Sequence, residues 1–186
     1  MSTARTPYAV GSPWAWALSF VLLSSACSEP AQQYETPRAL CGVEAPADVL
    51  DPLLPEGEVV SERSKTTNGL KRCYVSVDGK VALATSIEWY EAGTPVAEIA
   101  SKTVGAGPGD RVTADKRYTY SGNGAGLIRC EDSSTIDEDV DGDLYTTVRV
   151  GDDSVNAAAV LRMVEAYTTA VPTAGECEID LSTSRP

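Results

Sequence analysis

Alternation of apolar and polar residues is clearest in the stretch RCYVSVDGKVALATSIEWY, residues 72–90. Two alternating runs flank Asp78-Gly79, a dipeptide that favours the left-handed backbone of a two-residue hairpin turn. This turn would place Tyr74 opposite Leu83 on the neighbouring strand. One face of the hairpin, which we expect to face the core, would carry Tyr74, Val81, Leu83, Ile87 and Trp89. The other face would carry Cys73, Val75 and Val77.

Two segments on either side of this hairpin have the periodicity of short helices. Residues 46–54 predict a helix that begins at a proline, because proline suits the first turn of a helix. Its apolar side would be formed by Val49, Leu50, Leu53 and Leu54. Residues 95–104 predict a second helix, with Thr94 as its N-cap and Pro95 as its first residue.

A third and longer helix is predicted near the C-terminal end of the chain. We expect Asp153 and Ser154 to cap its start, and Pro172 and Gly175 to end it. Its apolar stripe has spacings of 4, 3 and 4 residues, which is the spacing of one helical face. The stripe consists of Val160, Val164, Tyr167 and Val171.

Further strands and a weak repeat define the expected fold. The other predicted strand segments are GEVVSERSK, KRYTYSGNGAGLIRC and DLYTTVRV. LKRC at residues 70–73 is echoed by LIRC at residues 127–130, and each is followed by VDG, a strand and a capped helix. We therefore expect an α+β fold, an antiparallel sheet of two β-hairpin-plus-helix units with the helices packed on one face. This single domain would extend over residues 41–186.

The first 26 residues have the organisation of a secretory signal peptide. Arg5 lies in a charged start, WAWALSFVLL follows at residues 14–23, and small residues lead to Cys27. The apolar stretch is shorter than the roughly 20 residues that span a bilayer. Residues 27–40, with two prolines and two glutamines, are predicted to be a flexible tether.

The end of this leader resembles the signal of bacterial lipoproteins, in which a small-residue box directly precedes a cysteine. LSSAC, followed by SEP, carries the resemblance, although Ser24 stands where the family usually has leucine. The resemblance implies a diacylglycerol thioether on Cys27, with palmitate-type acyl chains. It also implies a protein at the outer face of the cytoplasmic membrane, in the cell envelope. The alternative is a secreted soluble protein, because Ser24 and Ala26 also suit ordinary signal peptidase.

The remaining four cysteines allow two disulfides, which persist in an exported protein. Of the three possible pairings we favour Cys41–Cys73 with Cys130–Cys177, because each would fasten one helix end to one hairpin. The first helix would then cover the face to which Cys73 points. The rival pairing, Cys41–Cys177 with Cys73–Cys130, would suit the weak repeat and stays open at this point.

Composition excludes several classes of function. The formal net charge is −12, so we expect no nucleic-acid partner, since phosphate binding needs clustered Lys and Arg. Histidine is absent, which removes Ser-His-Asp catalysis and histidine-ligated metals. No C-x-x-C or Ser-x-x-Lys spacing is present, so we predict no catalytic residues and no cofactor.

The segment DEDVDGD is a weak candidate for a calcium site. Asp137, Asp139 and Asp141 occupy the first, third and fifth positions of an EF-hand loop, and Gly142 occupies the sixth. Position 12 is Val148, where calcium binding requires a bidentate glutamate. We therefore expect a solvated, acidic turn and no metal site.

The cysteine framework resembles a group of actinobacterial cell-envelope proteins of unknown function. The resemblance is carried by CGVEAPADVLDPLL, CYVSVDGK, LIRCED and VLRMVEAYTTAVPTAGEC, and it implies an α+β domain with two disulfides. We expect an exported, lipid-anchored module for binding or scaffolding, with the membrane and an unknown envelope protein or small ligand as partners. The alternative is a hydrolase that uses carboxylates alone, which would show two converging, desolvated carboxylates in a cleft.

Overall fold

The computed structural model describes residues 32–67, 69–105, 107, 110–130, 142–152, 154–175 and 177. In this part of the chain the strands are β1 Ala39–Leu40, β2 Val43–Glu44, β3 Val60–Thr67, β4 Leu70–Val77, β5 Lys80–Glu91, β6 Arg111–Val112, β7 Tyr118–Tyr120, β8 Asn123–Leu127 and β9 Gly142–Val150. The helices are α1 Ala47–Leu50, α2 Val96–Val104 and α3 Ala157–Ala170. Single 3₁₀ turns, Asp51–Leu53 and Pro172–Ala174, follow α1 and α3.

The strands form a seven-stranded antiparallel sheet in the order β3-β4-β5-β9-β8-β7-β6, beside a small hairpin of β1 and β2. The chain makes one meander of β3, β4 and β5, passes through α2, and makes a second meander of β6 to β9. The two meanders join where β5 pairs with β9 in the middle of the sheet. The predicted α+β fold with an antiparallel sheet is confirmed, but each unit is a meander and not a simple hairpin.

Helices cover both faces of this sheet, so the prediction that they pack on one face is wrong. α1 and α3 pack on one side, the α3 face, whereas α2 packs on the other, the α2 face. The reason is visible in β9, where every residue from Leu144 to Val148 is buried. Leu144 and Val148 belong to the core under α3, and Tyr145 belongs to the core under α2. A strand covered on both sides loses the alternation that a half-exposed strand shows.

A β-bulge in β5 changes which side of the first hairpin faces the core. Ser76 pairs with Val81, but Val75 pairs with Leu83, so Ala82 is an extra residue in β5. Because side chains alternate along a strand, one extra residue moves all later side chains to the opposite face. The predicted pairing of Tyr74 with Leu83 is therefore wrong.

The bulge gives a mixed outcome for the predicted core. Cys73, Val75 and Val77 are buried in the α3 face, contrary to prediction. Tyr74 and Val81 lie on the opposite face, where Val81 is 50% exposed. The prediction was correct for Leu83 and Ile87, which are both buried, and Trp89 packs against the same core.

The predicted helices are present, but their first residues are capped differently. The Asn156 side chain accepts a hydrogen bond from the Ala158 N–H at 2.8 Å and caps α3, whereas Ser154 donates to Asp152. Pro95 occupies the cap position of α2, and the Thr94 hydroxyl donates to the carbonyl of Glu91 instead. The stripe predicted for α3 is confirmed, since all four of its members are buried: Val160, Val164, Tyr167 and Val171.

Both favoured disulfides, Cys41–Cys73 and Cys130–Cys177, are present, with Cα–Cα distances of 5.8 and 5.7 Å. Cys41 lies in the turn between β1 and β2, and Cys73 lies in β4. Cys130 follows β8 and Cys177 follows the last 3₁₀ turn. The Cys41–Cys73 bridge therefore fastens the turn between β1 and β2 to strand β4. The Cys130–Cys177 bridge fastens the segment after α3 to the segment after β8.

Residues 32–40 pack against the domain, so the predicted tether of residues 27–40 is too long. The Gln33 N–H donates to the Gly57 carbonyl at 2.8 Å, and the Tyr34 hydroxyl donates to the Pro55 carbonyl at 2.5 Å. Leu40 is completely buried in β1. The folded domain therefore begins before Cys41, because the backbone N–H of Gln33 already forms a hydrogen bond with a residue of the domain.

Close packing of α3 on β8 leaves no room for a side chain at Gly126. A Cβ there would overlap Thr168 Oγ1 and lie 3.1 Å from Thr146 Oγ1, and these two hydroxyls share a hydrogen bond of 2.6 Å. We expect Gly126→Ala to lower the free energy of unfolding by about 1–3 kcal/mol, as overpacking does. Urea denaturation measures it. Gly122→Ala is the matched control, because a Cβ at Gly122 meets nothing within 4 Å. Equal stability of the two variants would contradict this packing.

Candidate functional site

The α2 face of the sheet is covered over only half of its width. α2 packs against β7, β8 and β9, and in the described part of the chain no helix packs over β3 and β4 on that side. We call this uncovered half the open face. Its members are the outward side chains of β3, β4 and β5 and those of the adjoining part of β9.

Strand pairing arranges the open face in two rows that cross four strands. The first row, in the order β3-β4-β5-β9, is Arg63, Tyr74, Ala84 and Arg149. The second row is Lys65, Arg72, Ser86 and Thr147. Directly opposed residues of antiparallel strands point to the same side, so each row forms a line of adjacent side chains. Residues that lie up to 86 positions apart in the sequence thus meet on one surface.

The open face concentrates positive charge on an acidic protein. Arg63, Lys65, Arg72 and Arg149 are exposed, and they make no ion pair with any described carboxylate. They are four of the 15 basic residues of a chain whose formal net charge is −12. In the same region of the structure, Lys102 at the edge of α2 pairs with Glu98 at 2.7 Å. These four cations make the local charge of the open face positive.

A pocket of about 470 Å³ lies in the open face between β4 and the end of α2. Small side chains form its centre, where the hydroxyls of Ser86 and Thr147 share a hydrogen bond of 2.6 Å beside Ala84. Arg72 and Arg149 also line it. A smaller cavity of about 290 Å³ adjoins it and shares two lining residues, Arg72 and Glu88. The volume is in the range of small-ligand sites.

Two aromatic residues and one carboxylate complete the pocket. The Arg63 guanidinium lies 5.2 Å from the centre of the Tyr74 ring, in a cation–π contact. The Tyr90 hydroxyl donates to Glu88 at 2.7 Å. Burial, together with this hydrogen bond, raises the pKa of Tyr90 to about 12, so the phenol stays a neutral donor at physiological pH. Glu88 keeps further acceptor capacity, because one carboxylate can accept several hydrogen bonds.

A second concave region is a groove of about 1100 Å³ between α1 and α3. Its floor is mostly apolar, and its rim carries both signs of charge. The charged lining residues are Arg38, Arg162, Glu44, Asp48 and Glu165. This mixture favours neither an anionic nor a cationic ligand, so the groove defines no chemistry as specific as that of the open face.

Glu62 lies beside the Cys41–Cys73 disulfide, so its carboxylate and the two sulfurs form a cluster of atoms of the kind that bind metals. The two sulfurs are bonded to each other, so they offer no thiolate to a metal. The Glu62 carboxylate instead accepts a hydrogen bond from the Cys41 N–H at 3.0 Å. This contact supports the turn at Cys41, where the backbone adopts a positive φ of 48°.

The carboxyl groups with a lowered pKa belong to turns. The hydroxyl of Thr113 and the backbone N–H of Arg117 lower the pKa of Asp115, and the backbone and hydroxyl of Ser154 lower that of Asp152. Both aspartates are exposed. These hydrogen bonds stabilise the ionised form and shape the chain at the surface.

Four of the eight site residues proposed from the sequence lie outside the described residues. They are Cys27, Asp137, Asp139 and Asp141. The sequence reasoning did not identify the open face, although Arg63 and Lys65, two positions apart in SERSK, were a signal for it. No protein-family model, curated protein or solved structure matches the chain. Among the described helices, none is long and apolar enough to cross a bilayer.

Proposed function

We propose that this protein is an exported binding module that binds an anionic partner through its open face. The observation that carries the proposal is the set of four cations on the uncovered half of the sheet, which form no ion pair with a described carboxylate. An isolated surface cation is ordinary, but four in adjacent positions on a chain of net charge −12 attract negative charge locally. The rest of the surface repels it, so an anionic partner is directed to one place.

We propose further that a lipid on Cys27 holds the module at the outer face of the cytoplasmic membrane. The leader pattern supports export, and the two disulfides are compatible with an oxidising compartment. In this position the partner would be an acidic component of the cell envelope. Secretion without a lipid remains the alternative that the Cys27 experiment in the Discussion decides.

Binding is favoured over catalysis by the composition of the pocket. Glu88 is the one carboxylate among the described residues that line it. Glycoside hydrolysis by carboxylates requires two that face each other across the scissile bond. The pocket instead offers cations, hydroxyls and aromatic rings, which are groups that hold a ligand in place.

Neutralising the open face tests this proposal. We expect the combined variant Arg63→Gln, Lys65→Gln, Arg72→Gln and Arg149→Gln to lose at least about tenfold in retention on polyglutamate-coated resin at low salt. The wild type should be retained at low salt and released by high salt, because exposed charges are screened. Polyglutamate is a suitable probe since the protein as a whole is repelled by it.

A second fourfold variant gives the matched control. Arg38→Gln, Lys80→Gln, Arg111→Gln and Arg162→Gln removes the same number of exposed cations from other parts of the described chain. This control should be retained as well as the wild type. If both variants lose retention equally, net charge governs binding and the open face has no special part. If neither loses it, the proposal is wrong.

A further inference from the structure

The spacing of the strands points to a slot in the open-face pocket, between Tyr74 and Arg149, with room for one ring. Tyr74 and Arg149 belong to the same row, with Ala84, the smallest side chain of the row, between them. Their strands are separated by one strand, which places the two backbones about 9–10 Å apart. A ring in van der Waals contact with a side chain on each side needs about 7–8 Å. Arg63 lies against the Tyr74 ring from the other neighbouring strand.

The polar groups beside the slot differ from those of a simple anion site. Arg72 and Arg149 can pair with a carboxylate or phosphate in two-pronged geometry. Glu88 in the same pocket would repel a bare anion, yet it can accept hydrogen bonds from hydroxyl groups. The ligand that fits both features carries an anionic group and several hydroxyls.

We propose that the pocket binds an acidic sugar, a single pyranose-sized ring that bears a carboxylate or a phosphate. The ring would lie over Ala84 between Tyr74 and Arg149, its acidic group would pair with Arg72 and Arg149, and its hydroxyls would donate to Glu88. This inference rests on the proposed function, because it assigns the ligand class of the same face. A sugar at the end of an envelope polymer and a free sugar acid share this chemistry.

Titration calorimetry with four probes tests the ligand class. We expect glucuronic acid or glucose 6-phosphate to bind at least about tenfold more tightly than both glucose and inorganic phosphate. The comparison between the two acidic sugars decides whether the site prefers a carboxylate or a phosphate. Inorganic phosphate binding as tightly as glucose 6-phosphate, or no binding of either acidic sugar, would overturn the proposal.

Filling the slot separates this inference from the proposed function. Ala84→Leu leaves every charge in place, so retention on polyglutamate resin should persist while acidic-sugar affinity falls at least about tenfold. Tyr74→Ala removes one wall of the slot, so it should also lower the affinity for acidic sugars and leave retention on the resin unchanged. Ala114→Leu, at an exposed position outside the pocket, is the control and should change neither measurement. If neither pocket variant changes the affinity for acidic sugars, the slot is refuted. The proposal for the open face would still hold if the fourfold variant loses retention on the resin.

Discussion

Replacing Cys130 and Cys177 together by alanine is expected to lower the free energy of unfolding by about 4 kcal/mol. The disulfide joins residues 47 positions apart, and the estimate follows from the entropy that a closed loop of this length removes from the unfolded chain. The bridge fastens the segment after α3 to the segment after β8, and α3 also packs on β8. Its loss should therefore loosen the cover of the α3 face.

Urea denaturation of the two disulfide variants measures this effect. The variant Cys41→Ala, Cys73→Ala opens a shorter loop of 32 positions, so its expected loss is slightly smaller, about 3.7 kcal/mol. The slope of the transition should rise in both variants, because an unfolded chain without the cross-link is less compact and exposes more surface. A loss below about 1 kcal/mol in either variant would show that the corresponding bridge does not constrain the chain.

Replacing Cys27 by serine is expected to move nearly all of the protein from the membrane fraction to the medium. A diacyl anchor retains a protein stably at a membrane, so removing it should release the protein. With a lipid on Cys27, the hydrogen bond from Gln33 to Gly57 would limit the distance between the domain and the membrane. Six residue steps separate Cys27 from Gln33, so the domain would be held within about 20 Å of the lipid.

Mass spectrometry of the N-terminal peptide gives the decisive reading for Cys27. The wild-type peptide should carry the mass of a diacylglycerol thioether, and Ser28→Ala should leave both this mass and the membrane fraction unchanged. An unmodified wild-type peptide that begins at Cys27 or Ser28 would contradict lipidation and favour the secreted alternative.

Sequence patterns over a few neighbouring residues predicted two features of the fold, the apolar stripe of α3 and the hairpin turn between β4 and β5. The α3 stripe follows from side chains three and four positions apart, and the Asp78-Gly79 turn follows from the backbone freedom of these residues. The disulfide pairing was also correct, although one part of its reasoning was not. Cys73 was expected to point away from the core, and the structure buries it in the core with 3% of its surface exposed.

The open face depends on features that the sequence does not mark. The bulge at Ala82 reverses the faces of the hairpin, and alanine beside valine gives no sign of an extra residue. Arg149 joins Arg63 and Tyr74 because β9 returns to the middle of the sheet, which is a long-range pairing. Alternation alone places the two basic residues of β3 on one face, whereas β4 and β9 contribute one basic residue each to the open face. Their assembly into one surface required the register between strands and the position of α2.

Chemical-shift mapping of the backbone amides tests the open face most directly. The probe is an octaglutamate peptide, added to the ¹⁵N-labelled protein at low and at high ionic strength. We predict that the largest shifts at low ionic strength fall on Arg63, Lys65, Arg72, Ala84 and Arg149, and that salt reverses them. Shifts centred on the groove between α1 and α3, or an absence of shifts at low ionic strength, would contradict the assignment of the open face.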